Sequence, residues 1–164
     1  MRVERFIERI EGEATLLFDK KRDGSIKFVE ILFPHIRGME KFLERKPALD
    51  ALAMTPRVCG ICGHAHLIAT AKALESCYEN AGISVEVTPK AEAIRSLTLS
   101  MEMIQNHFKW FYLTLLPSVP GFATKRDAGI LAAHRAASLC ARVIAYLAGQ
   151  WPHTSYALPG GCHV

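Results

Sequence analysis

The sequence of 164 residues predicts an α+β fold that is mainly helical, with a small N-terminal antiparallel sheet followed by long helices of a bundle. Three observations lead to this prediction: alternating apolar residues on both sides of a turn at Asp23-Gly24, an Ala-rich helical pattern from His64 to Asn80, and a longer apolar stripe after Thr88. We therefore expect a single domain over residues 1–164, β-rich in 1–34 and helical in 35–164.

The first 34 residues have the alternation of β-strands. Ala14, Leu16 and Phe18 lie on one side of a strand over 13–20, and residues 26–33 continue as a second strand after the turn. This pattern predicts an antiparallel hairpin, with residues 3–10 as a candidate third strand. Pro34 ends it.

Helix start and stop signals divide the rest of the chain. A short helix is expected over 37–45, and Asp50 is expected to cap another that starts at Ala51. Gly82 suits the end of the helix that begins near His64, and Thr88 with the proline after it suits the start of the next.

Two long helices follow. The first carries apolar residues at spacings of three and four, namely Ile94, Leu97, Met101, Ile104, Phe108, Phe111 and Leu115. The second is predicted over 127–148, where Gly149 ends it, with one side formed by Ile130, Ala137, Ala141, Ile144 and Ala148. A hairpin of the predicted size cannot cover both helices, so we expect the bundle to be completed by another chain.

Composition excludes several classes of protein. The net charge of +4 is small and spread out, which argues against a nucleic-acid partner. No uninterrupted apolar run reaches the length of a membrane span, and the charged N-terminus does not resemble a secretory signal. Five cysteines form no even framework, which suits a reducing compartment. We expect a cytoplasmic protein without a transmembrane segment of its own, associated with a membrane only through partners.

The motif Cys59-Gly60-Ile61-Cys62 has three readings: half of a zinc site, a redox disulfide, or half of a larger metal site. Zinc needs two more ligands, and His64 and His66 lie so close to Cys62 that the tetrahedron would be cramped. A thioredoxin-like pair needs a βαβ context, whereas the following residues are helical. A zinc-stabilised interaction module remains an alternative.

The residues around the motif resemble the N-terminal metal motif of the nickel–iron hydrogenase large subunit, Arg-Ile-Cys-Gly-Val-Cys-x-x-x-His. Other segments resemble the same family in the same order along the chain: Arg9-Ile10-Glu11-Gly12, Arg37-Gly38-Met39-Glu40, residues 105–113, and the stretch from 149–154 to Leu158-Pro159-Gly160-Gly161. We therefore identify the chain as resembling the N-terminal portion of such a subunit, split or truncated.

The sequence departs from the family pattern at three places. Glu13 stands where the family has a histidine, and Trp110 replaces the second histidine of the helix motif. The C-terminal Asp-Pro-Cys-x-x-Cys segment and the C-terminal histidine associated with magnesium are absent from these 164 residues. The resemblance thus implies that a second large-subunit chain supplies the other two thiolates.

The resemblance also implies roles for particular residues. Cys59 would be a terminal nickel ligand, and Cys62 would bridge nickel and an iron that carries cyanide and carbon monoxide. His66 would donate a hydrogen bond to a sulfur or an iron ligand. Arg57 would compensate the charge of the thiolates.

Two carboxylates are assigned in the same way. Glu11 would pass protons between the metal site and the surface, because heterolytic cleavage of dihydrogen releases a proton. Glu40 would be an oxygen ligand of a structural magnesium ion. Among the remaining candidates, His107 and His153 are expected to make internal hydrogen bonds and His64 to be exposed without a role. The other cysteines, Cys77, Cys140 and Cys162, are expected to pack in the interior, with two alternatives for Cys162: a redox-sensitive thiol, or a residue at the junction with a partner.

The function implied is reversible oxidation of dihydrogen at a nickel–iron centre, with electrons leaving through iron–sulfur clusters in a separate small subunit. A hydrogen-sensing relative is the main alternative. The related quinone-site subunit of respiratory NADH dehydrogenase lacks the metal thiolates, so Cys59 and Cys62 argue against it.

Overall fold

The structure is a computed structural model that describes residues 2–6, 14–33, 36–121 and 126–163. It divides into two compact units, Met1–Phe42 and Leu43–Val164. That these two units form a single domain stays a prediction.

The first unit contains a three-stranded antiparallel sheet in the order β1-β2-β3, formed by Arg2–Phe6, Thr15–Lys20 and Ile26–Leu32. Thr15 pairs with Leu32 across the hairpin. The turn between β2 and β3 contains Gly24 with a φ of 88°, and Asp23 accepts a hydrogen bond of 2.9 Å from the Ser25 N–H. The predicted hairpin is confirmed, and the third strand is present at 2–6; residues 7–10 of the expected strand lie outside the described residues.

The remaining described elements are mostly helical, and the mainly helical α+β fold is confirmed. In chain order they are α1 (Met39–Leu43), a 3-10 turn (Ala48–Asp50), α2 (Ala51–Met54), a second 3-10 turn (Thr55–Arg57), α3 (Gly63–Asn80), α4 (Pro89–Trp110), a π-helical segment (Phe111–Leu115), α5 (Leu116–Ser118), α6 (Arg126–Ala148) and a pair of short antiparallel strands, β4 (Ala157–Leu158) and β5 (Gly161–Cys162).

The helix ends follow the sequence signals, with one exception. Thr88 accepts a hydrogen bond of 3.3 Å from the Ala91 N–H, which is the predicted cap of α4. Gly82 follows α3 with a φ of 78°, and the Ile83 N–H bonds back to the carbonyl of Tyr78 at 2.9 Å, so the predicted glycine end is confirmed. The predicted Asp50 cap is wrong, because its side chain makes no capping bond and the backbone enters α2 through a 3-10 turn.

The core of the second unit lies where α3 and α6 meet the segment that leads into β4. Its members are Leu52, Leu67, Ile68, Ala71, Ile144, Ala148, Tyr156 and Ala157. Gly149 ends α6 with a φ of 78°, as predicted.

Helix α4 buries a polar face instead of its apolar stripe. The buried residues recur along one side of the helix and are Ala91, Arg95, Thr98, Glu102 and Gln105. Within the predicted stripe, Leu97 is 45% and Phe111 43% exposed. Ile94 and Met101 of the stripe are half-buried and pack against the core. Its exposed members lie outside the core that the described residues build, as does Ile130 on α6, which is 44% exposed.

One described helical segment, Gly129–Ala148 in α6, is long and apolar enough to cross a membrane by length and composition alone. Core helices of other proteins have the same length and composition, and α6 packs on α4, where Gln105 donates a hydrogen bond of 3.0 Å to the carbonyl of Ala137. No membrane assignment follows, and the absence of a transmembrane segment stays a prediction.

Candidate metal centre and the residues that support it

The two motif cysteines and His66 come together at the start of α3. The sulfur atoms of Cys59 and Cys62 and a ring nitrogen of His66 all lie within 4.8 Å of one another. Cys59 is buried, whereas Cys62 and His66 are half-buried. The Cys62 N–H donates a hydrogen bond of 3.1 Å to the sulfur of Cys59. Among the described residues, this is the cluster whose donor atoms suit a metal ion.

Cys59 and Cys62 are joined as a disulfide in this structure. A metal binds thiolates, so reduction by two electrons must precede ligation. Two thiolates and an imidazole are soft to intermediate donors that suit nickel, iron or zinc. The donor set fits a transition metal. It contains only two of the four thiolates that a nickel–iron centre of the resembled family requires.

The loop that carries the cysteines is packed tightly against the preceding turn. A Cβ added at Gly63 would run into the carbonyl oxygen of Pro56. The same carbonyl accepts a hydrogen bond of 3.1 Å from Nδ1 of His153. Glycine is therefore required at the first position of α3, immediately after Cys62.

Two residues of α4 hold the backbone on both sides of Cys62. The Glu102 carboxylate accepts hydrogen bonds from the backbone N–H groups of His64 at 2.9 Å and Ala65 at 2.8 Å. One turn along α4, Asn106 Nδ2 donates to the carbonyl of Ile61 at 2.9 Å. Glu102 is 2% exposed, and this burial raises the pKa of its carboxyl group, although the two N–H donors act in the opposite direction.

His64 is buried, and the expectation that it would be exposed is wrong. Its Nε2 lies 2.8 Å from the Thr98 hydroxyl and 3.3 Å from the Tyr156 hydroxyl, and its ring stacks on the Tyr156 ring with centroids 5.4 Å apart. The hydroxyls of Thr98 and Tyr156 are themselves 2.6 Å apart. Burial lowers the pKa of His64 to about 4, so the ring is neutral at physiological pH.

A buried ion pair anchors the Pro-Gly-Gly segment. Arg95, 1% exposed, donates to both carboxylate oxygens of Glu75 at 2.7 and 3.3 Å and to the carbonyls of Leu158 at 2.6 Å and Gly161 at 3.0 Å. The Gly160 N–H donates to Glu75 at 2.9 Å. Burial would raise the pKa of Glu75, but Arg95 and the Gly160 N–H lower it below its usual value.

The other predicted site residues are Arg57, Glu40 and Glu11. Arg57 is exposed and its guanidinium donates to the carbonyl of Ala53. Glu40 is exposed in the first unit. Glu11 and its neighbour Glu13 lie outside the described residues. The roles assigned to these residues, and to His66, stay predictions.

The remaining histidines and cysteines differ in their surroundings. His107 is exposed and bonds within α4 to the carbonyl of Met103 at 2.7 Å. Cys140 is buried and Cys162 half-buried, as packing residues would be, but Cys77 is exposed, so its expected packing role is wrong.

Sequence reasoning missed the polar residues that support the cysteine loop and the Pro-Gly-Gly segment, namely Glu75, Arg95, Thr98, Glu102, Asn106 and Tyr156. Arg95, Thr98, Glu102 and Gln105 do recur at spacings of three, four and three, which places them on one face of a helix. That periodicity was the signal in the sequence, but charged and amide side chains ordinarily mark the solvated face.

A sequence model of the nickel-dependent hydrogenase family matches residues 37–116, which include the paired cysteines and most of α4. The chain is similar to nickel-dependent hydrogenases. Its mainly helical fold is that of the N-terminal part of a large subunit, and the match bears out the resemblance of the motifs that lie within residues 37–116.

Individual relatives agree with this similarity. One component of the vhu F420-non-reducing hydrogenase of Methanocaldococcus jannaschii is 31% identical over 111 residues, which cover 68% of this chain and 25% of the relative. The NAD-reducing hydrogenase HoxS subunit beta of Cupriavidus necator is 30% identical over 115 residues, covering 69% of this chain and 23% of the relative. The chain thus spans about a quarter of the length of these relatives.

Solved structures match the whole chain. The structure of an NAD+-reducing NiFe-hydrogenase in the H2-reduced state is 27% identical with a TM-score of 0.70, covering 100% of this chain and 39% of the other. The Ni-Fe-Se hydrogenase of D. vulgaris Hildenborough in the reduced state, at 22% identity and a TM-score of 0.72, covers 100% of this chain and 38% of the other, and shows the shared fold.

Proposed function

We propose that this chain is part of the catalytic subunit of a nickel–iron hydrogenase and supplies two thiolates, from Cys59 and Cys62, to its metal centre. The observation that supports this proposal best is the convergence of both sulfurs and the His66 ring within 4.8 Å, at the position of the family motif. When bound, the nickel–iron centre would supply the chemistry that cleaves dihydrogen heterolytically.

The reduced sulfurs would act as anionic ligands held at a fixed spacing. The Cys62 N–H, which bonds to the sulfur of Cys59, would favour the thiolate form of that residue. His66 lies one turn beyond Cys62 and its ring would donate a hydrogen bond to a ligand or sulfur. Neutral His64 adds no charge beside the thiolates, because its ring is buried against Tyr156.

A second large-subunit chain is proposed to carry the other two thiolates. Support comes from the apolar side chains of α4 and its π-helical extension that this chain leaves exposed: Leu97, Met103, Ile104, Phe108, Trp110, Phe111 and Leu113. Large apolar side chains exposed in such number on one helical stretch favour an interaction site over a solvated surface. An iron–sulfur small subunit would receive the electrons, Glu11 would move protons, Glu40 would bind magnesium, and the assembly would be cytoplasmic.

Metal content tests the proposal. The chain is produced alone and together with a candidate partner that carries a C-terminal Cys-x-x-Cys, under reducing and anaerobic conditions, and metals are measured by mass spectrometry. We expect nickel and iron in equal amounts in the complex and no full nickel loading of the chain alone. Cys62→Ser should abolish nickel binding by the complex, whereas Cys77→Ser, a matched change at an exposed free cysteine, should not.

Three outcomes would contradict the proposal. Full nickel loading of the chain alone would remove the need for donated thiolates. One zinc per chain without nickel would indicate the zinc-stabilised module instead. A loaded complex that turns over dihydrogen only very slowly would favour the hydrogen-sensing alternative.

A further inference from the structure

The backbone around Cys62 is held from one helix by two side chains that are one turn apart. Glu102 takes the N–H groups of His64 and Ala65, and Asn106 donates to the carbonyl of Ile61. Residues spaced by four lie on the same face of a helix, so both contacts come from a single rigid surface. Cys62 lies between the contacted peptide groups and has little freedom to move.

The contacts of Glu102 also determine which backbone N–H groups can donate a hydrogen bond to the cysteine sulfurs. The first N–H groups of a helix have no partner within the helix and attract anions, including thiolates. In α3, the N–H groups of His64 and Ala65 are already taken by the Glu102 carboxylate. The Cys62 N–H, which precedes α3, donates a hydrogen bond to the sulfur of Cys59.

We propose that Glu102 and Asn106 are positioning residues that fix the separation of the Cys59 and Cys62 sulfurs and keep the N-terminal amides of α3 away from them. The metal role of the sulfurs rests on the proposed function, but the positioning does not. Both residues are held in place by burial: Glu102 is 2% exposed and Asn106 is half-buried. A helix supplies a more precise support than a loop, because its backbone is already fully bonded.

The equilibrium between the Cys59–Cys62 disulfide and its dithiol measures this positioning without any metal. Fixing two sulfurs near each other favours the disulfide. Releasing the amides of α3 would stabilise a thiolate and favour the dithiol. Glu102→Gln replaces one of the two accepting oxygens with an NH2 donor, which faces an N–H group, and Asn106→Leu cannot donate. Each should therefore shift the equilibrium toward the dithiol.

The test measures the oxidised fraction of the 164-residue chain in glutathione buffers, with every variant checked for native helicity. We expect shifts of about five-fold or more for Glu102→Gln and Asn106→Leu, the lower end of typical coupling between sites. Gln105→Leu is the matched control, because this buried residue of the same helix donates to Ala137 of α6 instead. Its equilibrium should stay within about two-fold of the parent chain, below that coupling range.

If Glu102→Gln and Asn106→Leu shift the equilibrium no more than Gln105→Leu, the proposal is overturned. Nickel content of the complex is measured in parallel. A shifted equilibrium in a protein that never binds nickel would refute the proposed function and leave the positioning role intact. Normal nickel loading with an unshifted disulfide equilibrium would refute the positioning role and leave the proposed function intact.

Discussion

Breaking the ion pair between Glu75 and Arg95 should destabilise the second unit more than any surface substitution. Arg95 is 1% exposed and Glu75 is 12% exposed at the side chain, so neither charge is compensated by water when its partner is removed. Removal of one member of a buried pair costs about 3–5 kcal/mol. For Glu75→Gln we expect about 3 kcal/mol, because Glu75 keeps slight exposure and Gln retains one accepting oxygen.

The pair also has a coupling energy that a double-mutant cycle isolates. In Arg95→Met, Glu75 loses its charged partner, at about 3–5 kcal/mol for one member of a buried pair. The carbonyls of Leu158, which is exposed, and Gly161, which is half-buried, also lose their donor, but water can replace it in part. Once Arg95 is gone, adding Glu75→Gln should cost less than about 1 kcal/mol, because no buried guanidinium remains to be left unpaired. We therefore expect a coupling energy of about 2–3 kcal/mol, within the range for contacting residues.

Urea denaturation of the four proteins, followed by far-ultraviolet circular dichroism at one protein concentration, measures these free energies. Equal dependence on urea in all four would show that the native and unfolded states are comparable. If the two single substitutions add to the double within about 0.5 kcal/mol, the ion pair does not couple Glu75 to Arg95 and the reasoning fails.

Three further predictions follow from the same unit. Burial lowers the pKa of His64 from 6.5 to about 4, so the unfolded chain takes up the proton first, and the free energy of unfolding should fall by about 2–3 kcal/mol as the pH falls from about 7.5 to about 4.5. Urea denaturation of the parent chain and of His64→Phe across this pH range isolates the loss. The same pH dependence of the unfolding free energy in both proteins would contradict it. Gly63→Ala should lower stability by about 1–3 kcal/mol, since its Cβ would meet the carbonyl of Pro56; a thermal midpoint equal to that of the parent chain would show that the loop relaxes. Thr88→Ala should cost about 1 kcal/mol through loss of the bond from the Ala91 N–H, with Thr88→Ser as the control that keeps the hydroxyl and the stability.

Local signals in the sequence predicted the elements well, because turn and cap chemistry depends on few residues. The Asp23-Gly24 turn, the Thr88 cap and the glycine ends of α3 and α6 all appear where the sequence places them. The predicted cap at Asp50 was wrong because the backbone enters α2 through a 3-10 turn, and the Asp50 side chain makes no hydrogen bond to the start of the helix.

Which face of α4 is buried could not be predicted in the same way. Burial of Arg95 and Glu102 is favourable only because Glu75 and the backbone of the cysteine loop supply their partners. Those partners lie 20 and 37 to 38 positions away in the sequence, so their contact depends on the tertiary fold. The paired cysteines were recognisable because their spacing is local, whereas the residues that hold them were not.

The contacts that Glu102 and Asn106 make with the cysteine loop are all to peptide groups, none to side chains. Such contacts do not depend on the side chains at 61, 64 and 65, except that proline at 64 or 65 would remove the donating N–H. Substitutions at these three positions are then limited by the residues that their side chains contact, while α4 continues to hold the backbone of the loop. Engineering of the loop can use this freedom: new side chains can be placed beside the sulfurs without redesigning the helix that supports them.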